Sequence, residues 1–311
     1  MNLIVGGTGF IGGHLAEYFL KEGEISKGVF RKGSHLRILD QCGIQCLEAD
    51  LIDRESLHEP LDMVDVVYNL ASPTPRDGTE DFLSVNTRGL ENLLQEAEEH
   101  GVKDFVLLST LDVCGFKRRD LDGSSALAPA HPYQQAKAEA ERLALEFGRK
   151  NPAMRVKVVR AARAIGSRDA TLSAPLLKML AAGKLVLPKG SDSKMSFTHP
   201  KDVAQALLRV ASKGVGGEVY LVKSFDASLD DVALALSRAA GREQKIGREG
   251  VFSKTPFPLY TASQIRAGLR VKEQESWKRV SYAPAFDVAK TCSEIAEWSV
   301  KEPWVAESSP A

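Results

Sequence analysis

The chain has 311 residues, 43% of them hydrophobic, and its 41 basic and 41 acidic residues leave a formal net charge of zero. That length and apolar content allow one large domain or two smaller ones with a full core, whereas the balanced charge argues against a nucleic-acid partner. No apolar stretch approaches the roughly 20 residues that cross a bilayer, and the glycine-rich start lacks the basic leader of a secretory signal, so we expect a cytoplasmic protein without a membrane span.

The first predicted element is a short buried strand at residues 3–5, which runs into a glycine-rich turn and a helix. Ile11, Leu15 and Phe19 recur at intervals of four and share one helical face. Glycine lets the backbone approach an anion, and the helix start directs N–H groups and a positive dipole end toward it. A pyrophosphate is the expected ligand; a tight turn without a ligand is the alternative. The residues expected to bind this part of a cofactor are Gly6, Gly9, Phe10, Ile11 and Gly12.

Strands and helices alternate along the next part of the chain. The strands are predicted at residues 28–30, 44–49, 64–70, 105–108, 156–159 and 219–222, and the longer helices at 80–100 and 133–150. Such alternation predicts an α/β fold with a Rossmann-type, doubly wound parallel sheet. Ligands of such sheets bind beyond the carboxyl ends of the strands, where the strand order reverses.

The alternation loosens after about residue 165, and shorter helices are predicted at 170–183, 202–212 and 228–241. We expect a dinucleotide-binding domain over residues 1–169, with its sheet completed by elements within about 195–225. A smaller C-terminal substrate-binding lobe is expected over residues 170–311.

The choice of dinucleotide depends on the residues that follow the second strand. An acid there hydrogen-bonds the ribose of NAD, whereas an arginine suits the 2′-phosphate of NADP. This chain has Arg31 and Lys32 at that point, and a guanidinium can pair with a phosphate through two hydrogen bonds. NADP(H) is therefore favoured and NAD(H) stays possible, since both residues could be ordinary loop charges. Asp50 and Leu51 end the third strand, where adenine is expected, although Asp50 could instead cap a helix.

Tyr133 and Lys137 form the chemical centre of the prediction. Their spacing places both on one helical face. A tyrosine titrates near ~10 in model peptides, and a nearby ammonium favours the phenolate, which would tune the phenol as a general acid or base. Such pairs are common on helix surfaces, but this one follows a strand that ends in Ser109 and Thr110, at the edge of the sheet where a nicotinamide is expected.

Several short motifs together resemble the extended short-chain dehydrogenase/reductase family, which includes epimerase/dehydratase and 3β-hydroxysteroid dehydrogenase-like members. The resemblance covers nearly the full length of the chain. It rests on residues 6–12 (GGTGFIG), Asp50-Leu51, residues 69–72 (NLAS), residues 86–89 (NTRG), residues 109–115 (STLDVCG) and residues 133–137 (YQQAK).

The resemblance implies roles for individual residues. Tyr133 would exchange the substrate proton, while Lys137 would bind the nicotinamide ribose and lower the pKa of Tyr133. Thr110 lies five residues before Gly115, which matches the family's hydroxyl residue and would hydrogen-bond the substrate oxygen. The same resemblance places Asn86 near the site and assigns Ala71 and Ser72 to the lining of the cofactor channel.

Two enzyme classes of this family compete for the function. Simple oxidoreductases, such as 3β-hydroxysteroid-type dehydrogenases and dihydroflavonol-type reductases, interconvert an alcohol and a carbonyl group. Nucleotide-sugar epimerases and dehydratases mostly use NAD and usually carry an arginine for the diphosphate where this chain has Met195. Arg31 and Met195 favour the oxidoreductase, and a non-catalytic NADP-binding regulator is a third interpretation.

Two further residues are candidates for contact with a small-molecule substrate. Asp112 follows Thr110 by two positions and is expected either to face the pocket or to cap a turn. His199 is expected either at the rim of the site or in a structural role. The four cysteines show no metal-ligand spacing with histidine, so no metal is predicted. Family resemblance implies a homodimer.

Overall fold

A computed structural model describes residues 1–73, 82–117, 120–248, 257–272 and 275–301. The strands are β1 (Asn2–Val5), β2 (Ser26–Phe30), β3 (Gln45–Glu48), β4 (Val66–Asn69), β5 (Asp104–Thr110), β6 (Asp120–Leu121), β7 (Arg155–Ala161), β8 (Arg163–Ala164), β9 (Val186–Leu187), β10 (Met195–Thr198), β11 (Val219–Val222), β12 (Phe225–Ala227), β13 (Gly247–Arg248) and β14 (Arg270–Val271).

The α-helices of the described residues alternate with these strands. They are α1 (Phe10–Glu22), α2 (Arg37–Gln41), α3 (His58–Leu61), α4 (Phe82–Ser84), α5 (Leu90–Glu99), α6 (Pro132–Lys150), α7 (Ser173–Ala181), α8 (Pro200–Lys213), α9 (Leu229–Ala239), α10 (Leu259–Ala267), α11 (Glu275–Val280) and α12 (Val288–Lys301). A π-helical turn, Val85–Gly89, joins α4 to α5, and 3-10 turns cover Glu55–Leu57 and Leu111–Cys114. The predicted helix at 80–100 is thus present from Phe82 onward, while residues 80 and 81 lie outside the described residues.

Seven strands form the central sheet in the order β11-β7-β5-β4-β1-β2-β3, and every neighbouring pair is parallel. The chain runs outward from β1 through β2 to β3. It then crosses back to β4 and runs outward the other way. The strand order therefore reverses between β1 and β4, which is where doubly wound sheets bind their ligands.

Alternate residues of each strand pack on opposite faces of the sheet. Ile4 belongs to a buried cluster with Leu15 and Phe19 of α1, to which α2 and α8 also contribute. Leu3 belongs to the cluster on the other face, with Leu93 of α5 and side chains of α6. Each buried leucine or phenylalanine contributes about 1.5–3 kcal/mol of transfer free energy. The prediction of an α/β, doubly wound parallel sheet is confirmed.

A separate apolar cluster lies in the C-terminal half of the chain. It joins α7, α9, α10 and α12 to a small sheet with the strand order β12-β10-β8. Leu176, Phe197 and Leu236 are almost completely buried in this cluster. The segment 185–193 contains the two-residue strand β9. Whether the chain divides into domains at residues 169 and 170 stays a prediction. No helix among the described residues is both long and apolar enough to cross a membrane.

Candidate active site

In the glycine turn between β1 and α1, backbone atoms lie so close together that two positions have no room for a side chain. Gly6 has φ +86°, and a Cβ on it would lie 2.7 Å from the backbone nitrogen of Ala71. A Cβ on Gly12 would lie 2.1 Å from the carbonyl oxygen of Gly6. Gly9 precedes α1 and provides no side-chain cap, so the first N–H groups of the helix, from Phe10 and Ile11 onward, remain available to an anion.

The residues predicted to choose the cofactor lie at the ends of β2 and β3. Arg31 and Lys32 follow β2 directly and are both exposed. Asp50 is exposed too, and its Oδ1 accepts a hydrogen bond from the backbone N–H of Ile52 at 3.0 Å. Leu51 is buried in the core. An open glycine cradle at the reversal of strand order fits the pyrophosphate of an NAD(P) dinucleotide, and two exposed cations lie beyond the neighbouring strand.

The end of β4 touches this cradle. The side-chain oxygen of Asn69 accepts a hydrogen bond from the backbone N–H of Ala71 at 3.1 Å, which fixes the turn beside Gly6. Asn86, buried in the π-helical turn, donates from Nδ2 to Ser72 Oγ at 3.1 Å and to the Phe82 carbonyl at 2.8 Å. Asn86 therefore holds the strand end through Ser72, in addition to lying close to the site.

Local capping sets the position of Tyr133 in the first turn of α6. The helix begins at Pro132, whose missing N–H would be unpaired there in any case. His131 Nδ1 accepts from the backbone N–H of Tyr133 at 3.2 Å, and Gln134 Oε1 accepts from the backbone N–H of His131 at 3.1 Å. Reciprocal bonds of this kind stabilise a helix start by about 0.5–2 kcal/mol, so the tyrosine is presented from a rigid element.

Lys137 connects α6 to the sheet. Its Nζ is buried and donates to the carbonyl of Leu108 in β5 at 2.7 Å. Burial lowers the pKa of Lys137 to about 8, against the opposing effect of Glu141. The ammonium therefore lies beside the carboxyl end of β5, where the strand reaches Thr110.

Thr110 ends β5, and its hydroxyl accepts a hydrogen bond from the backbone N–H of Asp112 at 3.2 Å. A threonine hydroxyl that accepts one bond still has its own proton to donate. The 3-10 turn that follows buries Asp112, whose side chain is 5% exposed. The side chain that caps this turn is that of Thr110 rather than Asp112, and contact between Asp112 and a substrate stays a prediction.

Two residues at this site escaped the sequence analysis, because they come from α10, far along the chain. Tyr260 donates from its hydroxyl to Asp112 Oδ2 at 2.8 Å, and Gln264 Nε2 donates to the same oxygen at 2.5 Å. The Tyr260 ring lies 5.5 Å from the ring of Tyr133, edge to face. Burial raises the pKa of Asp112, although the bonds from Tyr260 and Gln264 oppose it. Tyr260 and Gln264 are one helical turn apart, and two polar residues at this spacing are too common in helices to predict a role at the site.

The pKa of Tyr133 differs from the prediction. Burial raises this pKa well above its ordinary value, the carboxyl group of Asp112 raises it further, and Arg163 opposes both. Lys137 was expected to lower it, but its amine is directed at the carbonyl of Leu108 instead. In this form of the protein Tyr133 is a neutral phenol, which is a proton donor.

A small cavity adjoins Asp112. Arg163, Met195 and Gln264 line it, together with leucine side chains. The guanidinium of Arg163 donates to the hydroxyl of Thr171 at 2.5 Å and lies 3.6 Å from Asp169, so its charge is already met by the protein.

The structure gives His199 the structural one of its two expected roles rather than the place at the rim of the site. The side chain is completely buried. Its Nδ1 caps α8 by accepting from the backbone N–H of Lys201 at 3.2 Å, and its Nε2 lies 3.1 Å from a carboxylate oxygen of Glu294. The ring stacks on Phe286 with 3.6 Å between centroids. With both nitrogens engaged and no exposed surface, His199 has no atom to offer a substrate.

Comparison with known proteins agrees with this geometry. A model of the NAD dependent epimerase/dehydratase family matches residues 2–222, well over half of the chain. The chain belongs to this family. The prediction of an extended short-chain dehydrogenase/reductase is confirmed, and the chain is accordingly an NAD(P)-dependent enzyme.

Individual relatives of this family member are distant. Sterol demethylase protein B of Methylococcus capsulatus is 28% identical over 250 residues, which cover 77% of this chain and 74% of that protein. N-acetyl-α-D-glucosaminyl-diphospho-ditrans,octacis-undecaprenol 4-epimerase of Escherichia coli O157:H7 is 25% identical, covering 83% and 76%. The structure of RMD from Pseudomonas aeruginosa in complex with NADPH superposes with a TM-score of 0.76 at 23% identity, covering 96% and 99% of the two chains.

Proposed function

We propose that this enzyme is an NADP(H)-dependent oxidoreductase that interconverts a secondary alcohol and a carbonyl group on a small organic substrate. The observation that carries the proposal is a continuous set of contacts around one phenol. Tyr133 packs against Tyr260, Tyr260 binds Asp112, and the backbone of Asp112 binds Thr110. Two hydroxyl groups, a buried ammonium and the carboxyl end of β5 therefore belong to one cluster.

The residues of this cluster match the needs of carbonyl reduction. The bound cofactor supplies a hydride to the carbonyl carbon. Tyr133, a neutral phenol, donates its proton to the oxygen, and Thr110 donates a hydrogen bond to the same oxygen as negative charge develops there. The ketone is thereby reduced to a secondary alcohol: one hydride is added to the carbon and one proton to the oxygen. Lys137, whose amine donates to the carbonyl of Leu108, would bind the nicotinamide ribose.

The charges at the end of β2 support NADP(H) over NAD(H). Arg31 and Lys32 are exposed at the position that reads the adenosine ribose. The acid that follows the next strand, Asp50, accepts a local hydrogen bond from Ile52. Two cations without a facing acid suit a 2′-phosphate, because a guanidinium binds it through two parallel hydrogen bonds.

Nucleotide-sugar epimerisation or dehydration is the second candidate, since one relative at 25% identity is an epimerase by name. The small cavity argues against it. Met195 offers an apolar wall, and the one guanidinium that lines the cavity, Arg163, is held by Thr171 and Asp169. A diphosphate entering there would compete with Asp169 for this guanidinium, in which Nε has no hydrogen-bond partner among the described residues.

Product analysis with substituted enzyme tests the proposal. NADPH oxidation should accompany reduction of a ketone in a panel that includes 3-ketosteroids and dihydroflavonols. Tyr133→Phe should lower kcat by about 10²–10⁴-fold while the affinity for NADPH, measured by fluorescence, stays within twofold. Tyr282→Phe, which removes a phenol that donates to the Lys223 carbonyl, is the matched control and should retain activity.

Two other results would refute this function. Conversion of a UDP-hexose without net consumption of NADPH would assign the chain to the nucleotide-sugar class. Tight NADPH binding with no turnover of any substrate, unaffected by Tyr133→Phe, would indicate a regulator.

A further inference from the structure

A second cluster of reactive side chains lies at the edge of the sheet opposite to the active site. His58 begins α3, Asp62 follows it directly, and His100 follows α5. These turns lead into the amino ends of β4 and β5, whereas Gly6 and Thr110 lie at the carboxyl ends of their strands. The two turns are joined, since the backbone N–H of Lys103 donates to the carbonyl of Asp65 at 2.9 Å.

Three potential ligand atoms converge in this cluster. One atom each from His58, Asp62 and His100 lies within 4.8 Å of the other two. The Nε2 of His100 is 3.6 Å from Oδ1 of Asp62. Ligands bound to tetrahedral Zn²⁺ at about 2.0–2.2 Å are separated by roughly 3.3 Å, so this pair is already close to the spacing of two ligands. The side chains of His58 and Asp62 are 71% and 60% exposed, and a rotation of the Asp62 side chain can complete the set while His58 keeps its bond to Glu96.

Hydrogen bonds to Glu96 prepare both imidazole rings for a metal. Nδ1 of His58 lies 3.0 Å from Glu96 Oε1, and Nδ1 of His100 lies 2.9 Å from the carbonyl oxygen of Glu96. Both partners are acceptors, so Nδ1 is the nitrogen that donates in each ring, which leaves Nε2 as the nitrogen for a metal. Metal-binding histidines are oriented in this way by a carboxylate or carbonyl on the remote nitrogen.

Arg54 keeps Glu96 in this supporting role. Its Nε donates to Glu96 Oε2 at 2.8 Å, and the Glu96 side chain is only 7% exposed. The guanidinium satisfies one oxygen of the carboxylate, and His58 satisfies the other. Glu96 therefore orients both imidazole rings through their Nδ1 atoms, while Asp62 supplies an exposed carboxylate.

We propose that His58, Asp62 and His100 form a binding site for Zn²⁺, with Glu96 as the residue that positions both rings. Two imidazole nitrogens and one carboxylate oxygen, with a water in the fourth position, are a normal zinc ligand set. Mg²⁺ and Ca²⁺ prefer oxygen ligands and do not suit the two nitrogens. The bound ion would link the turn before β4 to the turn before β5, at the edge of the sheet opposite to the site of hydride transfer, so it takes no part in that reaction.

One of the three ligands is far from the other two in sequence, which explains why the spacing of cysteines and histidines does not reveal the site. His58 and Asp62 are four residues apart, but His100 comes from another helix. Only the packing of α3 on α5 brings the rings to 4.5 Å between centroids.

Titration calorimetry of the full chain without a polyhistidine tag tests the site. The unmodified protein should bind one equivalent of Zn²⁺ with a micromolar or lower Kd, and MgCl₂ at the same concentration should give no binding. His58→Gln and His100→Gln should each weaken Zn²⁺ binding by about tenfold or more, whereas His35→Gln, which removes another exposed histidine, should have no effect.

The coordination of Co²⁺ gives a second measurement that does not depend on affinity. A tetrahedral site should produce strong visible d–d absorption on addition of Co²⁺, and His100→Gln should abolish it. The proposal is overturned if the protein shows no stoichiometric Zn²⁺ binding at micromolar concentrations, or if both histidine variants bind as the unmodified protein does. Circular dichroism confirms that each variant is folded, and NADPH binding should be unchanged in all of them.

Discussion

Gly12 and Gly13 are neighbours in α1 that should respond in opposite ways to alanine. A Cβ on Gly12 would lie 2.1 Å from the carbonyl oxygen of Gly6 and 2.7 Å from Cα of Gly7, both of them backbone atoms of the turn. A Cβ on Gly13 would meet its nearest atom, in the side chain of Ile38, at 3.4 Å, which is an ordinary van der Waals contact. The same chemical change is therefore blocked at one position and accepted at the next.

The magnitude follows from these contacts. Relief at Gly12 must lengthen the contact to about 3.0 Å, yet Leu15 and Phe19 of the same helix are completely buried and hold it against the sheet. Overpacking of this kind costs about 1–3 kcal/mol. Alanine in place of a helical glycine gains up to about 1 kcal/mol. We expect Gly12→Ala to lower the free energy of unfolding by up to about 2 kcal/mol, and Gly13→Ala to raise it by about 0.5–1 kcal/mol.

Urea denaturation followed by circular dichroism measures both effects, and NADPH fluorescence measures the cofactor. Gly12→Ala should also weaken NADPH binding by at least about tenfold, equivalent to about 1.4 kcal/mol, because any relief of the contact displaces the N–H groups that face the pyrophosphate. Gly13→Ala should bind NADPH as the unmodified protein does. Equal stability and equal NADPH affinity in the two variants would refute the idea that close backbone approach shapes this turn.

Two further changes test the charges of the molecule. The unmodified protein should bind NADPH about tenfold or more tightly than NADH, and Arg31→Ala should remove that difference; equal affinities before substitution would defeat the cofactor assignment and leave the fold intact. Burial would raise the pKa of Glu17, but hydrogen bonds from His14 and Arg168 outweigh it and lower this pKa to about 2. Since the folded pKa is below the unfolded value, Glu17 stabilises the fold above about pH 4.5 and loses this effect as the pH falls toward 2. Glu17→Gln should therefore flatten the acid limb of a plot of Tm against pH, and an unchanged slope would contradict this.

Patterns that are local in the chain predicted much of the structure. Apolar runs located the strands of the central sheet because most of them are buried on both faces and read as hydrophobic segments, although the edge strand β3 is only partly buried. The spacing of Tyr133 and Lys137 located α6, since both residues lie within one helix and the helix continues through them. Thr110 was predicted at the end of β5 and ends that strand in the structure.

Contacts between distant segments could not be predicted in this way. The sequence left His199 between the rim of the site and a structural role, because the contacts that decide it, with Phe286 and Glu294, come from positions about 90 residues away. Tyr260 reaches Asp112 across 148 positions. The pKa of Tyr133 depends on such contacts as well, because burial and the carboxyl group of Asp112 raise it, and a local argument from Lys137 includes neither.

A crystal structure of the full chain with bound NADPH tests the central claim most directly. The quantity to measure is the distance from the Tyr133 hydroxyl to C4 of the nicotinamide. The account predicts that the hydroxyl faces the hydride-carrying side of the ring, close enough for one carbonyl group to contact both, with the Thr110 hydroxyl directed at the same space. A phenol turned away from the nicotinamide, with dinucleotide bound in the glycine turn, would contradict the proposed chemistry.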